Sequence, residues 1–247
     1  MTDSHAHLDA CEEPAGAVVA RAGEAGVTRI VTIGTGIESC RAALAIAEEN
    51  DGVYAALGID PHQAASAESA RVEELRALLE HPKVVAVGET GLDSVRQHAS
   101  LAEQRRLLDT QLELASDLHL PVVIHSREAS SETAAALAPF MGRVVLHCFS
   151  SLQLLSVALE RGYFVSFAGN VTYPKASELR DAARAIPAGR ILVETDSPYL
   201  APQAVRGRPN EPANLPHTIA VLAEERGETP SELAERTHAN AASAFGL

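Results

Sequence analysis

Short, almost wholly apolar runs rich in β-branched residues recur along the chain: "VTRIVTIG" (27–34), "VYAALG" (53–58), "VVAVGE" (84–89), "VVIHS" (122–126), "VVLHC" (144–148), "YFVSFAG" (163–169) and "ILVETD" (191–196). With the opening "MTDSHAH" they make eight predicted strands. Between them the polar and apolar positions take a helical spacing, for instance over 16–25, 37–50, 68–80 and 100–119. Ser100 and Glu103 form a capping-box spacing at the start of the last of these. A further helix near the C-terminus is announced by Thr229, Pro230 and Glu232, a cap followed by proline in the first turn. Strands that are apolar on both faces and alternate with helices belong to a parallel sheet covered by those helices.

Eight strand–helix units in 247 residues favour a closed α/β barrel, a single (β/α)8 TIM barrel of about 250 residues, with an extra C-terminal helix. The whole of 1–247 reads as one domain, since there is no internal repeat and no long linker. No Gly-x-Gly-x-x-Gly follows the first strand, and the "GTG" at 34–36 reads as a plain strand-to-helix turn.

In such a barrel the chemistry gathers at the carboxyl ends of the strands. The first strand ends in His5 and His7, whose i, i+2 spacing aims both imidazoles to one side. The fourth delivers Glu89, the fifth His125, the sixth His147 and the eighth Asp196. A lone histidine closing an apolar strand is more often hydrogen-bonded structure, and an Asp before Ser-Pro is a common turn residue. Six ligand-type residues from five strands at one rim make a metal centre the simpler reading. Four histidines and two carboxylates exceed one tetrahedral zinc site. They suit two divalent ions sharing a carboxylate, which would activate a water and stabilise displacement at phosphorus. The mixed donor set suits Zn²⁺ or Mn²⁺, with Mg²⁺ also admissible.

Composition adjusts this picture. Net charge is −13, from 33 acids against 20 bases, and only Lys83 and Lys175 are lysines. A polyanionic substrate would therefore be repelled at a distance unless bound cations offset the field. Aromatics are 4% and tryptophan is absent, which argues against an extended stacking platform for single strands. Three cysteines (Cys11, Cys40 and Cys148) without Cys-x-x-Cys spacing argue against a disulfide framework. With no long apolar segment and no basic, apolar leader, the expected location is cytoplasmic, with no membrane association. Cys148, next to His147, should point away from the site into packing. His81, His98, His119, His217 and His238 fall on helices or connections and read as surface or satisfied residues. His62, in the loop after the third strand, faces the ligand rim and is a candidate to touch substrate.

The ordered blocks "DSHAHLD", "GIDPH", "GETGLD", "LPVVIHSREA", "VVLHCFSS", "ILVETDSPYLAP" and "RGRPNEPANLP", with the late Asn240 before Phe245, run essentially end to end. In these the chain resembles the TatD family of metal-dependent deoxyribonucleases, of which "GETGLD" and "ETDSPYL" are the most specific blocks. The resemblance implies a TIM barrel of the metallo-hydrolase type holding a pair of divalent metals. His5, His7, Glu89 and Asp196 would hold one ion, and Glu89, His125 and His147 the other, with Glu89 bridging. It implies phosphodiester hydrolysis, with single-stranded or 3′-ended DNA degraded in the 3′-5′ direction. Asp196 would orient or deprotonate the attacking water, and Arg127 with Arg206 or Arg208 would grip phosphate oxygens.

Three departures stand out. Only Met1 to Ser4 precede His5, so the first strand is short or the true start lies upstream. Asp60-Pro61-His62 replaces the family's frequent His-Pro-His, and Ser94 stands where an aromatic is common. Two rival readings are an amide or ester hydrolase of the wider metallo-hydrolase barrels and a barrel that binds without catalysis. The first often bridges its metals with a carboxylated lysine at the end of the fourth strand, where this chain has Glu89 and places Lys83 at the strand's other end. The second is disfavoured by an intact ligand set. Oligomeric state is open, with a monomer favoured.

Overall fold

The computed structural model describes residues 1–96 and 98–247. Eight parallel strands follow chain order around one sheet: β1 (Thr2–Ala6), β2 (Arg29–Gly34), β3 (Val53–Leu57), β4 (Val84–Asp93), β5 (Val122–Arg127), β6 (Val144–Leu146), β7 (Phe164–Phe167) and β8 (Ile191–Val193). Backbone bonds from Asp196 N to His5 O (2.9 Å) and from His7 N to Ser197 O (2.8 Å) bring the chain after β8 back to β1. The architecture is a TIM barrel.

The helices lie in the connections: α1 (Ala15–Glu24), α2 (Ile37–Glu49), α3 (Val72–Leu79), α4 (Leu101–Asp117), α5 (Ser130–Leu137), α6 (Leu152–Arg161), α7 (Ser177–Ala185), α8 (Leu215–Arg226) and α9 (Pro230–Phe245). Both sequence-predicted caps are present. Ser100 and Glu103 close a reciprocal box on α4, and Thr229 and Glu232 close one on α9. The segment predicted as one helix over 68–80 instead divides at Arg71, a single 3-10 turn preceding α3. Glu68 explains the division, since its carboxylate accepts from Ile37 N at the start of α2 (2.8 Å) and pairs with Arg71 (2.8 Å).

Two apolar layers follow from the period-2 alternation of the strands. Residues such as Ile30, Leu57, Val122, Ile124, Val144 and Leu146 face the helices. Val31, Ile33, Val123, Val145, Phe164 and Leu192 fill the barrel, and Ala241, Ala244 and Phe245 of α9 pack on that interior set. The extra C-terminal helix is thus part of the barrel core, and its burial leaves the opposite, carboxyl-terminal mouth as the open end.

Candidate metal centre

The alternation that builds the barrel also builds the site. Two residues beyond Val123 comes His125, and two beyond Val145 comes His147, so both imidazoles continue an inward-facing row. Leu192 is followed in the same parity by Glu194 and then Asp196. On β1, Asp3 and His5 are fully buried, and His7 follows at the same spacing. Glu89 is reached differently. It lies inside β4, whose register against β5 shifts between Val87 and Thr90, rather than in an exposed turn after it.

The donor atoms converge. His5 Nε2 and His7 Nε2 are 3.3 Å apart, and each lies 3.4–3.7 Å from Glu89 Oε2 and Asp196 Oδ1. The other carboxylate oxygen, Glu89 Oε1, faces His125 Nδ1 at 2.7 Å and His147 Nε2 at 3.1 Å, and those two nitrogens are 3.2 Å apart. Around a tetrahedral zinc with bonds of about 2.0–2.2 Å, neighbouring ligand atoms sit about 3.4 Å apart. Imidazole nitrogens that face each other at such distances need a proton or a cation between them. The residues therefore fit a metal, and Glu89 presents one oxygen to each histidine pair.

The electrostatics agree. Burial pushes the Glu89 carboxyl up, but His147 and hydrogen bonds from His125, His147 and His5 outweigh it and hold the group well below the usual carboxylate range. Burial likewise raises Asp196, and the bond to His7 with the neighbouring imidazoles brings it below its ordinary value. Both carboxylates are thus ionised and ready to bind a cation. His5 goes the other way, since burial and the nearby His147 favour its neutral, ligating form.

Two carboxylates that the sequence reading passed over hold the outer ring positions. Asp93, 1% exposed, sets Oδ2 3.2 Å from His125 Nε2, leaving Nδ1 to face Glu89. Its Oδ1 accepts from Val95 N (2.7 Å) and Arg96 N (2.9 Å), so it also shapes the loop that carries Arg96. Glu194, fully buried, places Oε1 3.5 Å from His147 Nδ1 and accepts from Cys148 N at 2.7 Å. Carboxylates in this position fix the tautomer and orientation of a ligating histidine. The inward parity of Leu192, Glu194 and Asp196 was the available signal for Glu194. Asp93 shares the parity of Glu89, four residues on in a stretch of β4 whose register with β5 is regular from Thr90 to Asp93, so the same signal was available for it.

The helix α4 secures this mouth from outside. Gln104 accepts from Asp93 N (2.8 Å) and donates to Asp93 O (3.0 Å). One turn-pair on, Gln111 exchanges two 2.8 Å bonds with the Ile59 backbone and donates to Thr90 Oγ1 (2.7 Å).

A cavity of about 600 Å³ opens over the centre, lined by residues including His7, Glu89, His125, His147, Asp196, Arg96, Arg127 and Tyr199. His62 lines it too, with Nε2 3.7 Å from Asp93 Oδ2. Arg206 and Arg208 are not brought to it. Arg206 instead lies over the Tyr173 ring at 4.3 Å, and Arg208 is exposed. Cys148 departs from expectation. Strand β6 ends at Leu146, Cys148 takes φ +43°, and it lines the cavity instead of packing behind the strand.

One measurable consequence concerns pH. Burial opposes charging of His125, yet its bonds to Asp93 and Glu89 raise it to about 9. A metal must displace that proton, so affinity should climb with pH by up to about tenfold per unit towards 9, with protons released on binding. Because this pKa lies above the unfolded value, the metal-free fold gains stability from it below pH 6.5 and loses that gain as pH rises through about 9. Calorimetric titration in buffers of different ionisation enthalpy measures the affinity and the proton release, and thermal melts of the metal-free protein from pH 6 to 9 measure the stability. Affinity that stays level between pH 7 and 9 would contradict this assignment.

A family model described as "TatD related DNase" matches residues 2–246. The uncharacterized metal-dependent hydrolase TatD of Mycobacterium tuberculosis is 39% identical, over 100% of this chain and 98% of that protein. The 3'-5' ssDNA/RNA exonuclease TatD of Klebsiella pneumoniae is 38% identical, over 93% of this chain and 91% of its own length. Among solved structures, a TatD homologue from Escherichia coli superposes with a TM-score of 0.93 at 36% identity, covering 100% of this chain and 98% of that one.

Proposed function

The chain belongs to the family of TatD-related DNases, and on that premise we propose that it is a 3′-5′ exonuclease of single-stranded or 3′-ended DNA using two divalent ions. The observation that carries this reading is the division of Glu89, one oxygen towards His5 and His7 and the other towards His125 and His147. In this reading His5, His7, Glu89 and Asp196 hold one ion, and Glu89, His125 and His147 the other. Bound there as Mg²⁺, Mn²⁺ or Zn²⁺, the ions would lower the pKa of a water and neutralise charge developing on the phosphate.

The protein's own groups do the rest. Asp196, ionised and at the cavity wall, orients the attacking water or takes its proton. Asp93 keeps His125 in the tautomer that faces Glu89, and Glu194 sets a carboxylate 3.5 Å behind His147 Nδ1. Arg127 and Arg96 supply guanidinium forks to phosphate oxygens, and His62 borders the substrate on the side of β3. A cavity of about 600 Å³ suits the end of a strand better than a long groove would. No helix among the described residues is long and apolar enough to cross a membrane.

The test is digestion of oligonucleotides labelled at the 5′ end with each divalent metal, beside an ester and an amide substrate. Stepwise shortening from the 3′ end is expected. Faster turnover of the ester or amide would move the protein to the wider metallo-hydrolase barrels.

Binding should also carry a distinctive salt signature. An acidic protein that meets the strand through metals and two arginines neutralises few phosphates. The logarithm of affinity should therefore fall with the logarithm of salt at a slope of magnitude roughly 1–3, against roughly 6–10 for extended basic binders. Arg127→Ala should flatten it by about one unit. Fluorescence anisotropy on a non-hydrolysable single strand measures this, and a steep, metal-independent slope would mean that a different surface binds the strand.

A further inference from the structure

Among the described residues, Tyr199 is the one exposed Phe or Tyr side chain, at 57%, and it stands on the rim of the metal-centre cavity. Its ring meets His7 edge-on, with centroids 5.9 Å apart, so it lies one ring away from the converging donors. The backbone beneath it is held firmly. Tyr199 N donates to Asp196 O (2.8 Å), and the side chain of Asn210, 2% exposed, donates to both Tyr199 O (2.8 Å) and Thr195 O (2.9 Å). Leu200 follows at φ +50°, and a Cβ on Gly169 would come within 2.2 Å of Leu200 O. Left-handed non-glycine residues at 196 and 200 persist only where their surroundings over-determine them. The loop is thus rigid in its main chain while presenting an apolar ring to water.

We infer that Tyr199 is the stacking surface for the nucleobase of the strand-terminal nucleotide, an inference that rests on the exonuclease reading above. A face-on contact with a base carries no net charge, so it works equally well against the field of a protein at −13. Arg96 and Arg127 serve the phosphates around the same cavity, and Tyr199 is the one Phe or Tyr among its lining residues. Every base has a π-face, so the contact gives grip without sequence preference.

The experiment is a cycle between ring and base. Tyr199→Ala and Tyr199→Phe are compared with the parent on two 3′-ended single strands, one ordinary and one with a terminal abasic residue. Circular dichroism and metal content check that the variants are folded and loaded. Removing the ring should cost about 5-fold to 150-fold in kcat/KM on the ordinary strand. Removing the base should cost the parent a similar factor, and removing both should cost no more than either alone. Tyr199→Phe should stay within about twofold of the parent. As an independent readout, a terminal 2-aminopurine on a non-hydrolysable strand should be quenched by the parent and by Tyr199→Phe, and not by Tyr199→Ala. Equal quenching by all three, or losses that simply multiply, would overturn the inference while leaving the exonuclease reading intact. A parent protein that neither binds nor shortens any oligonucleotide would instead overturn the exonuclease reading, and the inference with it.

Discussion

Glu89→Gln should lower kcat/KM for phosphodiester cleavage by about 10³-fold or more and reduce the bound metal. The side chain keeps its size but loses its charge, and with it the one group whose two oxygens face both histidine pairs. A metal acting on a developing phosphorane charge contributes several kcal/mol, and about 4 kcal/mol corresponds to roughly 10³ in rate. The substitution also leaves buried imidazoles without their counter-charge, since Glu89 raises His125 and His147 and is itself held ionised by them. Metal analysis and single-strand digestion, run together, check the result. Near-normal turnover with full metal content would sink the shared-carboxylate arrangement.

Treatment with a strong chelator should abolish hydrolysis, and the addition of one divalent metal should restore it. It should also lower thermal stability. A ligand present at about 100 times its dissociation constant adds about 2.7 kcal/mol to the folded state. In a domain of this size that corresponds to roughly 5–10 °C in Tm for each ion. The physical basis is the crowding of ionised Glu89 and Asp196 with four imidazoles at 2.7–3.7 Å, an arrangement that a cation relieves. Differential scanning calorimetry of metal-loaded and chelated protein measures it. Chelated protein that melts at the same temperature and still digests oligonucleotides would remove metals from the account.

The barrel and six candidate ligands were legible in the sequence for a specific reason. Strand periodicity is local, so a residue two places beyond an inward-facing valine continues the inward row with no knowledge of the rest of the fold. Val123 points to His125, and Val145 to His147, in this way. Helix caps are equally local, and Ser100 with Glu103 and Thr229 with Glu232 stand where their spacing places them.

Local signals fail where the backbone departs from its repeat. The register of β4 against β5 shifts between Val87 and Thr90, so parity counted from the apolar start of the strand, where Ala86 fills the barrel, does not carry through to Glu89 and Asp93. The end of β6 at Leu146 and the left-handed turn at Cys148 bring that thiol to the cavity, against the alternation. Arg206 and Arg208 stand in the motif block that follows the one carrying Asp196 yet lie off the cavity, because motif order does not record where a loop lands. The sequence by itself determined the strand order of the barrel, the end at which chemistry gathers and the donor types available there, all consequences of short-range periodicity and residue chemistry. Only the tertiary structure decided that the two oxygens of Glu89 face different histidine pairs, that Asp93 and Glu194 stand behind two of those histidines, and that Tyr199 is the most open to water of the tyrosines and phenylalanines among the described residues. The first depends on side chains from β1, β4, β5 and β6, far apart in sequence, meeting within a few ångströms once the chain after β8 returns from Asp196 to His5.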